Sequence, residues 1–110
     1  MVVPALIKDI RVVALIDTGS QVTMANSQVC QAAGLDLTNG HTIQIFGVGQ
    51  DMGMSAKVIT GVPISVGNGV YPWTLVIGNI RDDLILGLDF LHAVGALLNF
   101  DQGYLKFSPF

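Results

Sequence analysis

An unbroken apolar run, residues 12–16, leads directly into Asp17-Thr18-Gly19-Ser20, and this junction constrains the fold more than any other part of the sequence. A run of this length without polar alternation predicts a strand that is buried on both faces. Such a strand needs a neighbour on each side, and it delivers a carboxylate into a turn. A second apolar run, Val2–Ile7, precedes it across Lys8-Asp9, and the two predict a hairpin.

The composition predicts one compact, mainly β domain over residues 1–110. Hydrophobic residues make up 51% of the sequence and charged residues only 12%. Every acidic residue is Asp, so the chain lacks the Glu that usually covers exposed helix faces. The excess of apolar residues predicts that part of the surface faces a partner chain.

Charge and cysteine content argue against several classes of protein. The net charge is −3 with no cluster of Lys and Arg to neutralise phosphates, so we expect no nucleic-acid partner. Cys30 is the only cysteine, which excludes an internal disulfide, and His41 and His92 are too few to complete a zinc cluster with it. No segment predicts a signal peptide or a membrane span. We therefore expect no membrane partner and a cytoplasmic rather than a secreted protein.

Periodicity predicts many short strands and two short helices. Asn26 or Ser27 caps a first helix that Gly34 closes, and a second helix over residues 89–94 ends at Gly95. The predicted strands are Val2–Ile7, 11–16, 42–45, 55–59, 62–66, 73–77 and Leu84–Leu86, followed by a hairpin of residues 97–100 and Tyr104–Phe107.

Asp17 has two interpretations. In the first, its side-chain oxygens only cap the turn, as Asp often does. In the second it is catalytic, because four ordered segments resemble the motifs of retroviral-type aspartic proteases. Residues 14–20 (ALIDTGS) are similar to the active-site loop and residues 46–50 (FGVGQ) to the glycine-rich flap tip. Residues 83–87 (DLILG) resemble the apolar pair with its glycine, and residues 95–100 (GALLNF) the strand after the next helix.

The resemblance covers roughly residues 2–107 and implies a single-lobe, retropepsin-like fold. This fold is a closed or orthogonal β barrel with a flap hairpin and one or two short helices. The chain has one Asp-Thr-Gly, so the resemblance implies a homodimer in which Asp17 meets its symmetry mate. Two carboxylates held about 3 Å apart do not both ionise readily and share a proton, as is established for aspartic proteases. One then takes a proton from water while the other polarises the peptide carbonyl, with no metal or organic cofactor.

The resemblance also implies roles for the residues around Asp17. Thr18 would hydrogen-bond across the dimer axis, and Gly19 would leave room for the substrate backbone. We expect the Ser20 hydroxyl to donate to the carboxylate, which favours the charged form and activity at acid pH. The implied substrate-binding residues are Ser20, Leu15, Gly47, Val48, Gly49 and Ile85. Core packing is the alternative for Leu15, Val48 and Ile85, and an ordinary hairpin is the alternative for the flap.

Three features depart from the family pattern. Gln50, Asp51 and Met52 replace a glycine-rich flap continuation. Gln21 and Leu88 stand where many retroviral enzymes carry an ion pair, which removes one contact that supports the dimer. Most of the N-terminal strand of the viral dimer sheet is missing, so we expect the hairpin over residues 97–107 to build that sheet instead.

The sequence thus predicts an aspartic endopeptidase that cleaves extended peptides between apolar residues. The setting that this implies is a retroelement or viral polyprotein, with processing in the cytoplasm or the particle, or a domesticated cellular protein. The alternative is an inactive module that kept the fold for dimerisation or peptide binding. A dinucleotide site fails because Gly47 and Gly49 are followed by Met52 where Gly-x-Gly-x-x-Gly needs glycine.

Overall fold

The computed structural model describes residues 1–45, 54–99 and 104–107, with side chains described for residues 1–45 and 54–95. Strands dominate these ranges, together with two short helices and one 3-10 turn at Leu37–Asn39. The strands are β1 (Val2–Ile7), β2 (Ile10–Ile16), β3 (Met24–Asn26), β4 (His41–Ile45), β5 (Met54–Val66), β6 (Gly69–Gly78), β7 (Leu84–Leu86), β8 (Ala96–Asn99) and β9 (Tyr104–Phe107). The helices are α1 (Ser27–Ala32) and α2 (Leu88–Ala93).

Six strands close into a barrel, as the sequence predicts. The sheet runs in the order β1-β2-β7-β3-β6-β5-β4, and an additional pairing of β1 with β5 joins its two sides. The strand β4 lies outside the ring, and among the described strands it pairs with β5 alone. The short strand β7 lies between β2, to which it is parallel, and β3, to which it is antiparallel. This central position matters because β7 leads into α2 directly beside the end of β2.

The strand β2 is buried on one face only, so the prediction that both faces are buried is wrong. Val12, Ala14 and Ile16 are buried, whereas Val13 is 55% exposed and Leu15 is half-buried. The reason is the period of two in a strand, which sends alternate side chains into the barrel and out of it. The sequence of β2 is apolar without interruption because the side chains on its outer face are apolar as well as those on its inner face.

The barrel interior and the underside of α2 form one hydrophobic core. Phe90 from α2 is fully buried and meets two aromatic rings of β6 edge-to-face, Tyr71 at 5.4 Å and Trp73 at 5.1 Å between centroids. Such pairs add about 0.5–1.5 kcal/mol beyond the area they bury. Other fully buried core side chains are Ile7, Ile64, Leu75, Leu84 and Leu86.

Local signals place both helices correctly. Asn26 is the N-cap of α1, with its side chain accepting hydrogen bonds from Gln28 N and Val29 N, and Gly34 follows the helix at φ 85°. Gly95 follows α2 at φ 65°, a conformation that favours glycine. Within the described ranges, no helix is long and apolar enough to cross a membrane.

Three elements differ from the sequence prediction. Residues 55–59 and 62–66 belong to the single strand β5, which bends at an irregularity between Ile59 and Val62, where Gly61 has φ 71°. The strand β3 and the 3-10 turn were not predicted. Each has only three residues, too few for a periodic signal. Asp36 caps the 3-10 turn, and hydrogen bonds from Thr38 hold the pKa of Asp36 below its usual value.

The predicted C-terminal hairpin is confirmed, and it is separate from the barrel sheet. The strands β8 and β9 pair antiparallel from Ala96 opposite Phe107 to Asn99 opposite Tyr104. Together they form a two-stranded sheet of their own. A two-stranded sheet is at best marginally stable in isolation. The hairpin therefore offers strand edges that the barrel does not cover in the part of the chain described.

Asn26→Ala is expected to lower the free energy of unfolding by about 1–2 kcal/mol. The side chain caps α1 through its oxygen and also donates from Nδ2 to Ile80 O at 2.7 Å, so alanine removes both ties. Urea unfolding followed by circular dichroism measures the change. Asn68→Ala, at an exposed turn position between β5 and β6, is the matched control. Equal midpoints for both variants would contradict the prediction.

Candidate active site

The turn that carries Asp17 is anchored to β7. Leu15 pairs with Ile85 in the parallel ladder of β2 and β7, and Asp17 N donates to Leu86 O at 3.1 Å, which extends that ladder by one residue. Ser20 N then donates to Asp17 O at 3.2 Å and closes a four-residue turn. The backbone of Asp17 is thus fixed on both sides, while its side chain is only half-buried.

The Asp17 carboxylate accepts one hydrogen bond, from Gly19 N to Oδ1 at 2.9 Å. Among the described residues, Gly19 is the one donor to this carboxylate. Asp17 therefore does cap its own turn, as the first interpretation of the sequence holds. The same bond also fixes the rotamer of a half-exposed carboxylate, which a catalytic role requires.

Thr18 and Gly19 differ in what the structure says of them. Thr18 is exposed, and its hydroxyl makes no hydrogen bond within the described part of the chain. A Cβ added at Gly19 would lie 3.2 Å from Asp17 Oδ1, a tight contact. Glycine at this position therefore leaves the carboxylate unobstructed, a local reason beyond the room that we expected it to give the substrate.

Ser20 does not donate to the Asp17 carboxylate, so that expectation is wrong for this chain. Its hydroxyl donates to Val22 O at 2.7 Å. A hydroxyl has one proton to donate, so this bond excludes a second one to Asp17. Ser20 instead holds the loop that follows the turn.

Ser20→Ala is accordingly expected to leave the acidic limb of the pH–rate profile in place. The variant loses one hydrogen bond of the loop, which costs about 1 kcal/mol of stability. Peptide cleavage rates of wild type and variant between pH 3 and pH 7, at equal concentrations of folded protein, test this. Movement of the acidic limb to higher pH in the variant would show that the hydroxyl does reach the carboxylate.

A row of apolar side chains lies beside the turn. Leu15 and Ile85 face each other across β2 and β7, and Met24 pairs with Ile85 across β7 and β3. All three are half-buried and share one face, because directly paired residues point to the same side of a sheet. The structure thus brings together Leu15 and Ile85, both predicted as substrate-binding residues, and it adds Met24, which the sequence did not single out because β3 was not predicted.

The flap residues Gly47, Val48 and Gly49 lie outside the described residues. The strands on either side of them are described. β4 pairs antiparallel with β5 as far as Ile45 opposite Met54.

Sequence reasoning missed a polar cluster behind the turn. Thr23, which is fully buried, donates to Asp89 Oδ1 at 2.8 Å. Trp73 also donates from Nε1 to Asp89 Oδ2 at 2.9 Å. Asp83 accepts at Oδ2 from Val13 N at 3.1 Å and so supports β2 just before the turn. Thr23, Trp73 and Asp89 lie in no contiguous motif, and only the packing of the loop against α2 brings them together.

Within the described ranges, the cysteine and the two histidines do not gather at the turn. Burial raises the pKa of the Cys30 thiol to about 11, so at neutral pH it is not a thiolate nucleophile. His41 and His92 are exposed. Among the described residues, no three of His, Cys, Asp or Glu are placed to hold a metal ion together.

Comparison with known proteins identifies the turn with a family. The sequence profile of the family described as aspartyl protease matches residues 3–90, which include the Asp17 turn, β7 and most of the first turn of α2. The match thus spans most of the 110-residue chain.

This chain is similar over most of its length to a curated protein and to a solved structure. DNA damage-inducible protein 1 of Yarrowia lipolytica is 30% identical over 98 residues, which is 84% of this chain. The chain spans only 24% of that relative's length. The crystal structure of the retroviral protease-like domain of Ddi1 from Leishmania major matches with a TM-score of 0.78 at 22% identity. That match covers all of this chain and 89% of the other.

Proposed function

The chain belongs to the aspartyl protease family, and on that premise we propose that two copies of it form an aspartic endopeptidase with one Asp17 from each. The retropepsin-like resemblance and the single-lobe barrel expected from the sequence are both confirmed. Catalysis, the dimer and the substrate are the proposal. We further propose that residues 1–110 act as a single domain of this kind.

One observation carries the proposal. Asp17 is held rigidly on the backbone side by Leu86 and Ser20, while its carboxylate is half-exposed and has a single donor from the described residues. A general base needs this combination, since it must be oriented and yet reach the water whose proton it takes. The sequence has one Asp-Thr-Gly, and in this proposal the second carboxylate comes from another copy.

Two features support a symmetric dimer. The Thr18 hydroxyl is exposed and without a partner in the described part of its own chain, so it is available to bond across a two-fold axis. The β8–β9 hairpin forms a separate two-stranded sheet, and pairing with the same hairpin of a second copy would enlarge it to four strands. Both features are expected to lie at the same interface.

In the proposed reaction the two Asp17 carboxyl groups share one proton. The ionised carboxylate takes a proton from water, the resulting nucleophile attacks the peptide carbonyl, and the protonated carboxyl hydrogen-bonds the carbonyl oxygen. Leu15 and Ile85 would receive apolar substrate side chains, and Ser20 would shape the loop beside them. Gly47, Val48 and Gly49 would form a flap that bonds an extended substrate and excludes water.

The protein concentration dependence of cleavage tests the dimer requirement directly. Below the dissociation constant, the initial rate should rise with about the square of the protein concentration, because each active site needs two chains. A library of decapeptides at pH 4–7 supplies the substrates, and sedimentation velocity at the same concentrations supplies the dimer fraction. A rate that stays strictly proportional to protein concentration while the protein is monomeric would overturn the shared site.

The second candidate function is an inactive module for dimerisation or peptide binding. The bond from Gly19 N to Asp17 Oδ1 favours it, since a turn-capping role could keep the aspartate without catalysis. Peptide cleavage that is lost when Asp17 is replaced would support the endopeptidase, and the absence of such cleavage would support the inactive module. For the setting, we propose either polyprotein processing in a retroelement, in the cytoplasm or the particle, or a domain of a longer cytoplasmic protein such as the DNA damage-inducible relative.

A further inference from the structure

The loop after the catalytic turn, residues 20–23, is tied along its length to the start of α2. Leu88 N donates to Ser20 O at 2.8 Å, and Asp89 N donates to Gln21 O at 3.3 Å. Gly87 N donates to Thr23 Oγ1 at 3.2 Å. The N–H groups of three successive residues at the start of α2 therefore hydrogen-bond to the loop of residues 20–23.

Gly87 allows this close approach. A Cβ at position 87 would overlap the carbonyl of Val22 and would lie 2.8 Å from Ser20 O. Both of these are backbone atoms, which have little freedom to yield. The loop and the helix start are thus packed backbone to backbone, and a side chain at position 87 would separate them.

The Asp89 carboxylate completes the contact from the other side. Its Oδ1 accepts from the Thr23 hydroxyl and its Oδ2 accepts from the Trp73 indole N–H. Because the Thr23 hydroxyl gives its only proton to Asp89, its lone pairs are free to accept from Gly87 N. The N–H groups of Trp73 and Gly87 can only donate, so the carboxylate fixes the one direction that could vary, that of the Thr23 hydroxyl.

The Asp89 carboxylate offers one acceptor oxygen to each of these two side-chain donors. An asparagine at position 89 has one acceptor oxygen and an NH₂ group, so either orientation of its amide turns donors toward Thr23 or toward Trp73. The indole N–H of Trp73 can only donate, so it needs the amide oxygen. The Thr23 hydroxyl would then face the amide NH₂ group and lose the oxygen that accepts its proton. One donor in this partly buried cluster would then be left unpaired, at a cost of about 1–3 kcal/mol.

We propose that Asp89 is a positioning residue for Asp17: with Thr23 and Trp73 it clamps the loop of residues 20–23 and so fixes the turn that presents the catalytic carboxylate. The path is short, because Ser20 accepts from Leu88 through its carbonyl and donates to Asp17 O through its N–H. The proposal rests on the proposed protease function. Small misplacements of a catalytic group are costly, on the order of 100-fold in rate for about 1 Å.

The test compares Asp89→Asn with the double variant Asp89→Asn/Trp73→Phe in the dimeric protein. We expect Asp89→Asn to lower kcat by roughly 10- to 100-fold, with KM changed by less than about threefold. Trp73→Phe removes the opposing indole donor, so the double variant should recover several-fold of the lost kcat. Asp9→Asn, in the exposed turn between β1 and β2, is the matched carboxylate control and should leave kcat unchanged.

Two further measurements separate positioning from folding. Rates are normalised to active sites titrated with a tight-binding peptide inhibitor, so a loss of folded protein does not lower kcat. Amide hydrogen exchange at Gly87, Leu88 and Asp89 should be faster in Asp89→Asn and unchanged in Asp9→Asn.

An unchanged kcat in Asp89→Asn, or a double variant no better than the single one, overturns the role of Asp89 while the protease function stands. If the wild type shows no cleavage that depends on Asp17, the proposed function fails, and the catalytic role of Asp89 fails with it. Unchanged exchange at the three amides would overturn the clamp itself in either case.

Discussion

Asp17→Asn is expected to reduce cleavage of the peptide library at pH 4–7 by about 10³-fold or more. The variant keeps an oxygen that accepts from Gly19 N, so the turn stays folded, but an amide neither takes a proton from water nor shares one with its mate. General acid–base catalysis is worth about 10²–10⁴-fold in rate, and here both functions are lost together. Mass spectrometric detection of cleaved peptides, with Asp9→Asn as the matched control, measures the effect.

Mixing Asp17→Asn chains with wild-type chains tests this prediction together with the dimer. Asp17→Asn chains added in excess to wild type should suppress its activity, because most wild-type chains would then be in mixed dimers with one competent carboxyl group. Asp9→Asn chains added at the same concentration should not suppress it. Equal residual cleavage by wild type and Asp17→Asn would defeat the enzyme proposal and favour the inactive module. Activity unaffected by mixing would instead place a complete site within one chain.

Truncation after Phe100 is expected to abolish the dimer while the barrel stays folded. The deletion removes β9, so β8 loses the partner with which it forms the separate two-stranded sheet. The barrel ring consists of β1, β2, β7, β3, β6 and β5 and loses no strand. We expect the dissociation constant of the dimer to rise on the order of 100-fold or more, which corresponds to about 3 kcal/mol. Sedimentation equilibrium gives this constant.

Truncation after Phe107 is the matched control, because it shortens the chain but leaves all of β9 in place. Leu105→Pro provides a second route, since it removes one backbone N–H from the middle of β9 without changing the length. Both disruptions of β9 should give a monomer with a cooperative thermal transition and no cleavage. A stable dimer of the chain truncated after Phe100 would refute the proposed dimer sheet.

Elements with strong local signals could be predicted from the sequence. The β1–β2 hairpin, the Asn26 cap of α1 and the glycines that end both helices each depend on residues within a few positions of one another. The apolar run of β2 was correctly read as a strand, but its burial was not. Exposure of Val13 depends on which face the barrel encloses, and a continuous apolar run carries no information about that.

The candidate site likewise contains residues that the sequence predicted and residues that it did not. Asp17, Thr18 and Gly19 could be proposed from the sequence because their motif is contiguous, and Leu15 and Ile85 because they lie within two such motifs. The hydrogen-bond partner of Ser20 was predicted incorrectly, because a short hydroxyl side chain can reach either a carboxylate or a nearby carbonyl. Met24 could not be selected, since a three-residue strand has no detectable period.

The sequence by itself determined the strand-to-turn junction at Asp17 and the mainly β character, since these depend on local order and composition. The family was identified from the resemblance of four ordered motifs. Only the tertiary structure decided which distant groups hold that junction in place. Asp89 and Trp73 lie far along the chain from Thr23, and they meet because β7 lies between β2 and β3 and leads α2 back to the active-site loop. A hydrogen bond acts over about 3 Å, and such distances between remote residues are set by the closing of the barrel.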